Sequence, residues 1–260
     1  MTLEQVRIDG VGMALCHVKS PAEKAAQLIW AHGWGQSHAA MLPLAESLKA
    51  IADSILLDFP GFGASQPPPP SPWGTAEYAD LVAKWLGSLP AMPRVWIGHS
   101  FGCRVGLQLA ARHPDKVRGL FLIAAAGIPR HRNFRELLVR RARRVAFRTA
   151  MLAVREEEAR ERLRMKFGSA DYRSAGALRP TFVKVVSEDL SDIAATIRCP
   201  VRLVYGENDR ETPPEIGHRL QSMIPGSELA VLKGQDHFSL LGEGRHLVAH
   251  QLQVFLGRIP

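Results

Sequence analysis

The pattern of apolar and polar positions changes after the first twenty residues of the chain. Residues 6–16 alternate apolar and polar side chains around Asp9-Gly10, which predicts a β-hairpin. Farther along, short apolar runs show no alternation, as is typical of strands buried on both faces of a parallel sheet. These runs cover residues 27–31, 54–58, 94–98, 119–123 and 201–205.

Helical patterns separate most of these runs. Thr75 is predicted to cap a helix whose apolar residues recur with a 3.6-residue period. That face comprises Tyr78, Leu81, Val82, Trp85, Leu86 and Leu89. A second helix is predicted from a Ser37 cap through Ile51, and a third from Phe101 to a point before Pro114. Strands that alternate with helices indicate right-handed βαβ units, and therefore an α/β fold with a mostly parallel sheet.

Composition narrows the class of protein. Hydrophobic residues make up 46% and charged residues 22% of the 260 positions, which excludes a disordered or collagenous chain. The three cysteines form no CxxC pair, so neither a disulfide framework nor a zinc site is expected. The N-terminal residues lack the pattern of a signal peptide, and the longest apolar run, residues 121–126, is too short to span a membrane. We expect a cytoplasmic protein without a metal or cofactor.

A segment of more than seventy residues after position 127 interrupts the alternation, because it contains no convincing strand before residue 201. The net charge of +8 can be assigned to its first half, since residues 130–166 contain thirteen basic and five acidic residues. An apolar stripe is predicted there from Phe134, Leu138, Val145 and Leu152. The other face then carries Arg140, Arg141, Arg143, Arg144 and Arg148. This basic face is interpreted either as merely solvated or as a docking site for an acidic carrier protein, whereas nucleic acid is disfavoured because no aromatic stacking platform accompanies it.

The motif with the clearest chemistry is Gly98-His-Ser-Phe-Gly102, a G-x-S-x-G pattern between a predicted strand and a predicted helix. A serine at such a turn has an exposed hydroxyl and needs a base and an orienting carboxylate. Asp209 and His237 each follow a predicted strand, so they are expected to meet Ser100 at the carboxyl edge of the sheet. An ordinary turn serine, a surface histidine, or another carboxylate at Glu207, Glu211 or Asp236 remain open alternatives.

The chain resembles the α/β-hydrolase fold family over essentially its whole length. The resemblance lies in the order Ser100, Asp209, His237, in His32-Gly-Trp-Gly35 and in Asp58-Phe-Pro-Gly-Phe-Gly-Ala-Ser65. It implies an oxyanion hole made by the backbone N–H groups of Trp34 and Phe101. It further implies a hydrolase core of residues 1–127 and 198–260, with a helical cap of residues 128–197 inserted after the sixth strand.

The same resemblance implies an activity. Serine at the elbow disfavours the dehalogenases and epoxide hydrolases of this fold, which use an aspartate nucleophile. We therefore expect a serine hydrolase, a carboxylesterase that cleaves a small or medium ester through an acyl-enzyme. The alternatives are a carbon–carbon bond hydrolase of a ring-fission product, an esterase of carrier-protein-linked methyl esters, and a non-catalytic ligand-binding protein on the same scaffold.

Overall fold

The protein is described from a computed structural model, which covers residues 2–21, 26–67, 71–130, 134–154, 156–167 and 169–259. Eight strands form one sheet in the order β1-β2-β4-β3-β5-β6-β7-β8. Their bounds are β1 Thr2–Ile8, β2 Val11–Val18, β3 Gln27–Ala31, β4 Asp53–Asp58, β5 Arg94–His99, β6 Gly119–Ile123, β7 Val201–Gly206 and β8 Glu228–Leu232. Pairing is antiparallel from β1 through β2 to β4 and parallel from β4 onward. The predicted parallel sheet with an N-terminal hairpin is confirmed.

Helices cover both faces of the sheet. The ten α-helices of the described chain are α1 His38–Ser47, α2 Thr75–Ser88, α3 Phe101–Arg112, α4 Phe134–Ala153, α5 Glu157–Phe167, α6 Ala170–Ser174, α7 Arg179–Ser187, α8 Ser191–Ala195, α9 Pro214–Met223 and α10 Arg245–Leu256. On one face α2, α3, α8 and α9 enclose a core with Ile29 of β3, and on the other α1 and α10 enclose a core with Leu28 and Trp30. Because successive strand residues point to opposite faces and both faces are covered, the strands are apolar without alternation.

Two of the predicted helix ends needed correction. Gly74, not Thr75, is the N-cap of α2, and its N–H donates to Glu77 of the first turn over 2.8 Å. The Thr75 hydroxyl instead donates to Glu188 Oε2, so a contact distant in sequence determines its role. Ser37 caps α1 as predicted, but α1 ends at Ser47 and Ile51 lies beyond it.

The segment between β6 and β7 has two unequal parts. Helix α8 packs on α3 and α9, and Val185 of α7 and Ala194 of α8 are part of the buried core on that face of the sheet. Helix α4 packs on α5 through Phe147 and Phe167, whose ring centroids are 5.6 Å apart. In the part of the chain that the structure describes, no helix is both long and apolar enough to cross a membrane.

The predicted apolar stripe of α4 does not face the core. Leu138, Val145 and Leu152 are 50%, 53% and 85% exposed. Arg141, Arg144 and Arg148 are exposed on the same helix. The apolar stripe is thus not buried against the core, and the exposed arginines agree with a basic surface, for which a solvated face and a docking site both stay predictions. The side chains of Phe134, Arg140 and Arg143 lie outside the described part.

Candidate active site

The turn between β5 and α3 holds Ser100 in an unusual backbone conformation. Its φ is 49° and its ψ is −102°, a combination that L residues seldom adopt, and its N–H donates to the carbonyl of Ile123 over 3.0 Å. A Cβ on Gly98 would lie 2.7 Å from the backbone of Gly102 and Cys103, and one on Gly102 would collide with the carbonyl of Ala31. Both glycines of the motif are thus required by close packing around the turn.

Asp209 and His237 meet as predicted, beyond the carboxyl ends of β7 and β8. Asp209 Oδ2 lies 2.8 Å from His237 Nδ1, and both side chains are buried. Asp209 Oδ1 accepts the backbone N–H groups of Glu211 and Thr212 over 2.9 and 2.8 Å. Burial acts to raise the pKa of Asp209, but the hydrogen bonds from His237 and Thr212 and the charge of His237 outweigh it and lower that pKa. The carboxylate therefore stays ionised against the imidazole.

The other three candidate carboxylates have different partners. Glu207 accepts the N–H of Gly234 at the surface. Asp236 accepts the N–H groups of Phe238 and Ser239 in a local turn. Glu211 Oε2 lies 3.5 Å from the opposite nitrogen of the imidazole, His237 Nε2. Asp209 is therefore the one of the four that occupies Nδ1.

The loop after β3 is held beside the serine turn by His32. Its carbonyl accepts the N–H of Gly102 over 3.1 Å. Its Nε2 accepts the N–H of Phe59 over 3.1 Å, so Nδ1 carries the hydrogen and donates to the carbonyl of Gly33 over 2.7 Å. Burial lowers the pKa of His32 to about 4, so this neutral form is the one present at neutral pH. The loop geometry is thus set by a buried, neutral histidine.

The two N–H groups assigned to the oxyanion hole lie on adjoining elements. Trp34 stands at the end of the His32 loop and Phe101 starts α3, and their rings are 5.5 Å apart. Neither backbone N–H donates a hydrogen bond within the described part of the chain. Both donors are therefore free to bind an anionic oxygen.

His99 joins this loop to the loop that carries His237. Its Nε2 lies 3.1 Å from the His237 carbonyl oxygen, and its Nδ1 lies 3.2 Å from Gln36 Oε1. Gln36 Oε1 also accepts the N–H of Gly33 over 2.9 Å. Burial, followed by the nearby His237, lowers the pKa of His99 to about 3. This neutral side chain braces the site, in keeping with its predicted role as a structural or pocket-wall residue.

One predicted contact, between His237 and Ser100, is not a hydrogen bond in the described chain. The hydrogen bonds of His237 in the described chain go to Asp209, Thr212 and His99, and none goes to Ser100. Catalytic hydrogen bonds are often long before substrate binds, so the lack of a hydrogen bond between His237 and Ser100 is compatible with proton transfer in a complex.

Cys103 is buried under the turn, where its thiol donates to the carbonyls of Gly98 and Ile123 and burial raises its pKa. Its predicted inertness agrees with these contacts.

Sequence reasoning missed the part played by Thr212 and Gln36. The Thr212 hydroxyl lies 2.9 Å from Asp209 Oδ2 and 3.2 Å from His237 Nδ1. An Asp followed three residues later by Thr is a common turn pattern, which is the one local signal that could have indicated it. No local signal in the sequence indicates Gln36, because its partner His99 lies 63 residues away.

A cleft of about 590 Å³ opens beside Trp34, between the loop of residues 61–65 and the region of α6 and α7. Its lining in the described chain contains no charged side chain and includes Trp34, Phe62, Ser65, Ala175, Leu178 and Thr181. Such a lining suits a neutral, mostly apolar group of modest size.

Comparison with known proteins agrees with this architecture. Residues 28–169 match the model of the family described as alpha/beta hydrolase fold. The pimeloyl-[acyl-carrier protein] methyl ester esterase of Chromobacterium violaceum is 28% identical over 85% of this chain and 91% of its own length. The enzyme of the same name from Neisseria meningitidis serogroup C is 29% identical over 89% and 94%. The solved enol-lactonase of Burkholderia xenovorans superposes with a TM-score of 0.75, at 20% identity over 98% of this chain and all of that one.

Proposed function

The chain belongs to the α/β-hydrolase fold family, and we propose that it is a serine hydrolase that cleaves a small or medium carboxylic ester. Ser100 is the nucleophile, His237 the base and Asp209 the carboxylate that orients it. The observation that carries this proposal is the buried 2.8 Å contact between His237 Nδ1 and Asp209, on a loop that His99 ties to the Ser100 turn. The names of the curated relatives support ester cleavage.

The mechanism follows from these positions. Ser100 Oγ attacks the ester carbonyl while His237 Nε2 takes its proton, and the N–H groups of Trp34 and Phe101 bind the negative oxygen. Collapse of this intermediate expels the alcohol, which receives the proton from His237 and leaves an acyl-enzyme. His237 then takes a proton from water, which attacks the acyl group, and Ser100 regains its proton as the acid departs.

Residues 128–197 act as a lid over the core of residues 1–127 and 198–260. The anchored part of the lid is α7 and α8, because the carbonyls of Val185 and Glu188 accept hydrogen bonds from Arg104 and the N–H of Trp73 donates to Thr181. The uncharged cleft beside Trp34 receives the acyl or alcohol chain of the substrate.

Labelling with a fluorophosphonate and turnover of p-nitrophenyl esters test the proposal. Ser100→Ala is expected to abolish labelling and to lower kcat by at least roughly a thousandfold, because the covalent route is lost. Ser222→Ala, which removes an exposed hydroxyl on α9, is the matched control and leaves both unchanged. Unchanged ester turnover in Ser100→Ala would overturn the proposal and favour a ligand-binding role.

The carbon–carbon hydrolase alternative is tested with the same protein. A vinylogous 1,5-diketone and a short ester are supplied in parallel. The proposed function predicts faster turnover of the ester, and preferential cleavage of the diketone would reassign the enzyme.

A second candidate function is hydrolysis of an ester linked to an acidic carrier protein. Two observations favour it: the names of the curated relatives, and the exposed Arg141, Arg144 and Arg148 on α4. Acidic proteins are attracted to such a surface, chiefly through a faster association rate at low salt.

Replacing Arg141, Arg144 and Arg148 with Ser tests this candidate. The triple variant is expected to lower kcat/KM for a carrier-linked methyl ester, most strongly at low salt, and to leave a free methyl ester of the same acid unaffected. A charge-matched control replaces three exposed lysines outside the lid with Ser, namely Lys19, Lys49 and Lys233. Equal losses in the two triple variants would remove the carrier hypothesis.

A further inference from the structure

His237 lies between two carboxylates, and the mechanism above uses only one of them. Asp209 contacts Nδ1 and is completely buried, whereas Glu211 Oε2 lies 3.5 Å from Nε2 and its side chain is 56% exposed. Nε2 is the nitrogen that exchanges protons with Ser100, the leaving group and water. Glu211 therefore stands on the side of the imidazole where bonds are made and broken.

The backbone keeps Glu211 at this place. Its N–H donates to Asp209 Oδ1 over 2.9 Å, within the same turn that orients Asp209 and Thr212. Within the described chain, the recorded ion-pair contact of its carboxylate is with His237. The turn that holds Asp209 thus fixes the backbone of Glu211, and from there its carboxylate reaches Nε2 of His237.

Three other carboxylates act on Glu211. Burial raises its pKa, the attraction of His237 opposes that rise, and the charges of Asp171, Asp209 and Asp236 add to it. Asp171 of α6 and the two loops after β7 and β8 thus contribute negative charge at this carboxylate, and Arg130 donates to the carbonyl of the preceding Arg210. The ionised Glu211 carboxylate repels a second negative charge placed beside His237 Nε2 and attracts a positive one.

We propose that Glu211 is a specificity-determining residue that selects substrates by charge, favouring esters with a cationic leaving group and disfavouring anionic groups next to the scissile bond. This inference rests on the proposed serine hydrolase function. The leaving oxygen must lie within hydrogen-bond reach of Nε2 to receive its proton, so a charged atom a few bonds beyond it falls within the field of Glu211. Two unit charges about 6 Å apart at a partly exposed site change binding roughly three- to tenfold.

The same field acts on the product. Hydrolysis converts a neutral ester into a carboxylic acid, which loses its proton and becomes a carboxylate beside His237. Glu211 repels this carboxylate and so weakens product binding relative to binding of the neutral ester. An esterase gains from such an arrangement, because its product accumulates as substrate is consumed.

The test compares choline esters with 3,3-dimethylbutyl esters, which have the same shape but no charge. The acyl chain is the one turned over fastest in a panel from acetyl to octanoyl, and kcat/KM is measured at low salt and pH 8. Wild-type protein is expected to prefer the choline ester, and Glu211→Gln to lower that preference roughly three- to tenfold. The inhibition constant of the free acid is expected to fall by a similar factor in the variant, since the repulsion is removed.

Glu207→Gln is the matched control, because Glu207 is a carboxylate of the same loop whose recorded partner is the N–H of Gly234. It leaves the choline preference unchanged. The inference is overturned if Glu211→Gln keeps the wild-type ratio, or if it lowers kcat/KM equally for both esters, which would make Glu211 a positioning residue for His237. A turnover that survives Ser100→Ala would overturn the proposed function itself, so the two failures are distinguishable.

Discussion

The turn around Asp209 and the outer face of α4 are built in opposite ways. Asp209, Thr212 and His237 are at most 6% exposed and share three hydrogen bonds. Leu138, Val145 and Leu152 are at least half exposed, although they are apolar. The proposed active site lies at the edge of the sheet, where the strands constrain its loops, and the most exposed of these apolar side chains lie on α4.

The contacts that hold each region explain this difference. The loops that carry Ser100, Asp209 and His237 leave the carboxyl ends of β5, β7 and β8 in one parallel sheet, so the sheet itself brings them to the same edge. Helix α4 contacts α5 through Phe147 and Phe167, whereas the ion pair of Arg164 with Glu157 lies within α5 and, being exposed, contributes little to stability. Few contacts of the described chain therefore hold α4, whereas the sheet fixes the loops of Asp209 and His237.

The two regions also differ in charge. Residues 130–166 carry the whole net positive charge of the chain, whereas carboxylates surround His237. The two proposals use these opposite signs at different places: the lid attracts an acidic partner from outside, and Glu211 repels an anionic product inside.

The largest expected effect comes from a substitution in the buried turn around Asp209. Asp209→Asn is expected to lower kcat about ten-thousandfold, because an amide no longer favours the hydrogen on His237 Nδ1 and cannot stabilise the imidazolium. The measurement is steady-state turnover of a p-nitrophenyl ester, with Asp236→Asn as the control. A larger loss in Asp236→Asn would reassign the orienting carboxylate.

Stability measurements sharpen the comparison between the two parts of the lid. Leu190 lies in the core and is 2% exposed, so Leu190→Ala is expected to lower the free energy of unfolding by about 2–5 kcal/mol. Leu152→Ala on α4 is expected to change it by less than about 0.5 kcal/mol. Urea denaturation of both variants measures these values. A comparable cost for Leu152→Ala would mean that the outer stripe is covered in solution.

The smallest expected effect concerns pH. Burial raises the pKa of Glu211 above its usual value of 4.5, so this carboxylate takes up its proton at a higher pH than an ordinary glutamate. The choline preference is therefore expected to fade as pH falls through that raised pKa, and to be complete above it. The charges of His237, Asp171, Asp209 and Asp236 act on the same carboxyl group. A ratio of the two kcat/KM values that stays constant from pH 8 down to the ordinary glutamate value of 4.5 would contradict this expectation.

The local sequence pattern was sufficient to predict the strands and the turn that carries Ser100. The apolar runs predicted the strands, because a strand buried on both faces has apolar residues at successive positions. Gly98 and Gly102 predicted the turn of Ser100, because close backbone packing there requires glycine on either side of the serine. The positions of Asp209 and His237 after strands were also correct, since parallel strands place their carboxyl ends at one edge.

Other features depended on contacts between residues far apart in the chain. Four carboxylates were candidates for the partner of His237, and only their distances assign Asp209 to Nδ1 and Glu211 to Nε2. Thr75 was a good cap by local rules, yet its hydroxyl binds Glu188, 113 residues away. The stripe of α4 had a helical period, but a period cannot say whether a face meets the core or solvent. The side to which a helix face points and the partner that a side chain binds are decided by the tertiary structure, because both depend on which surfaces the rest of the molecule supplies.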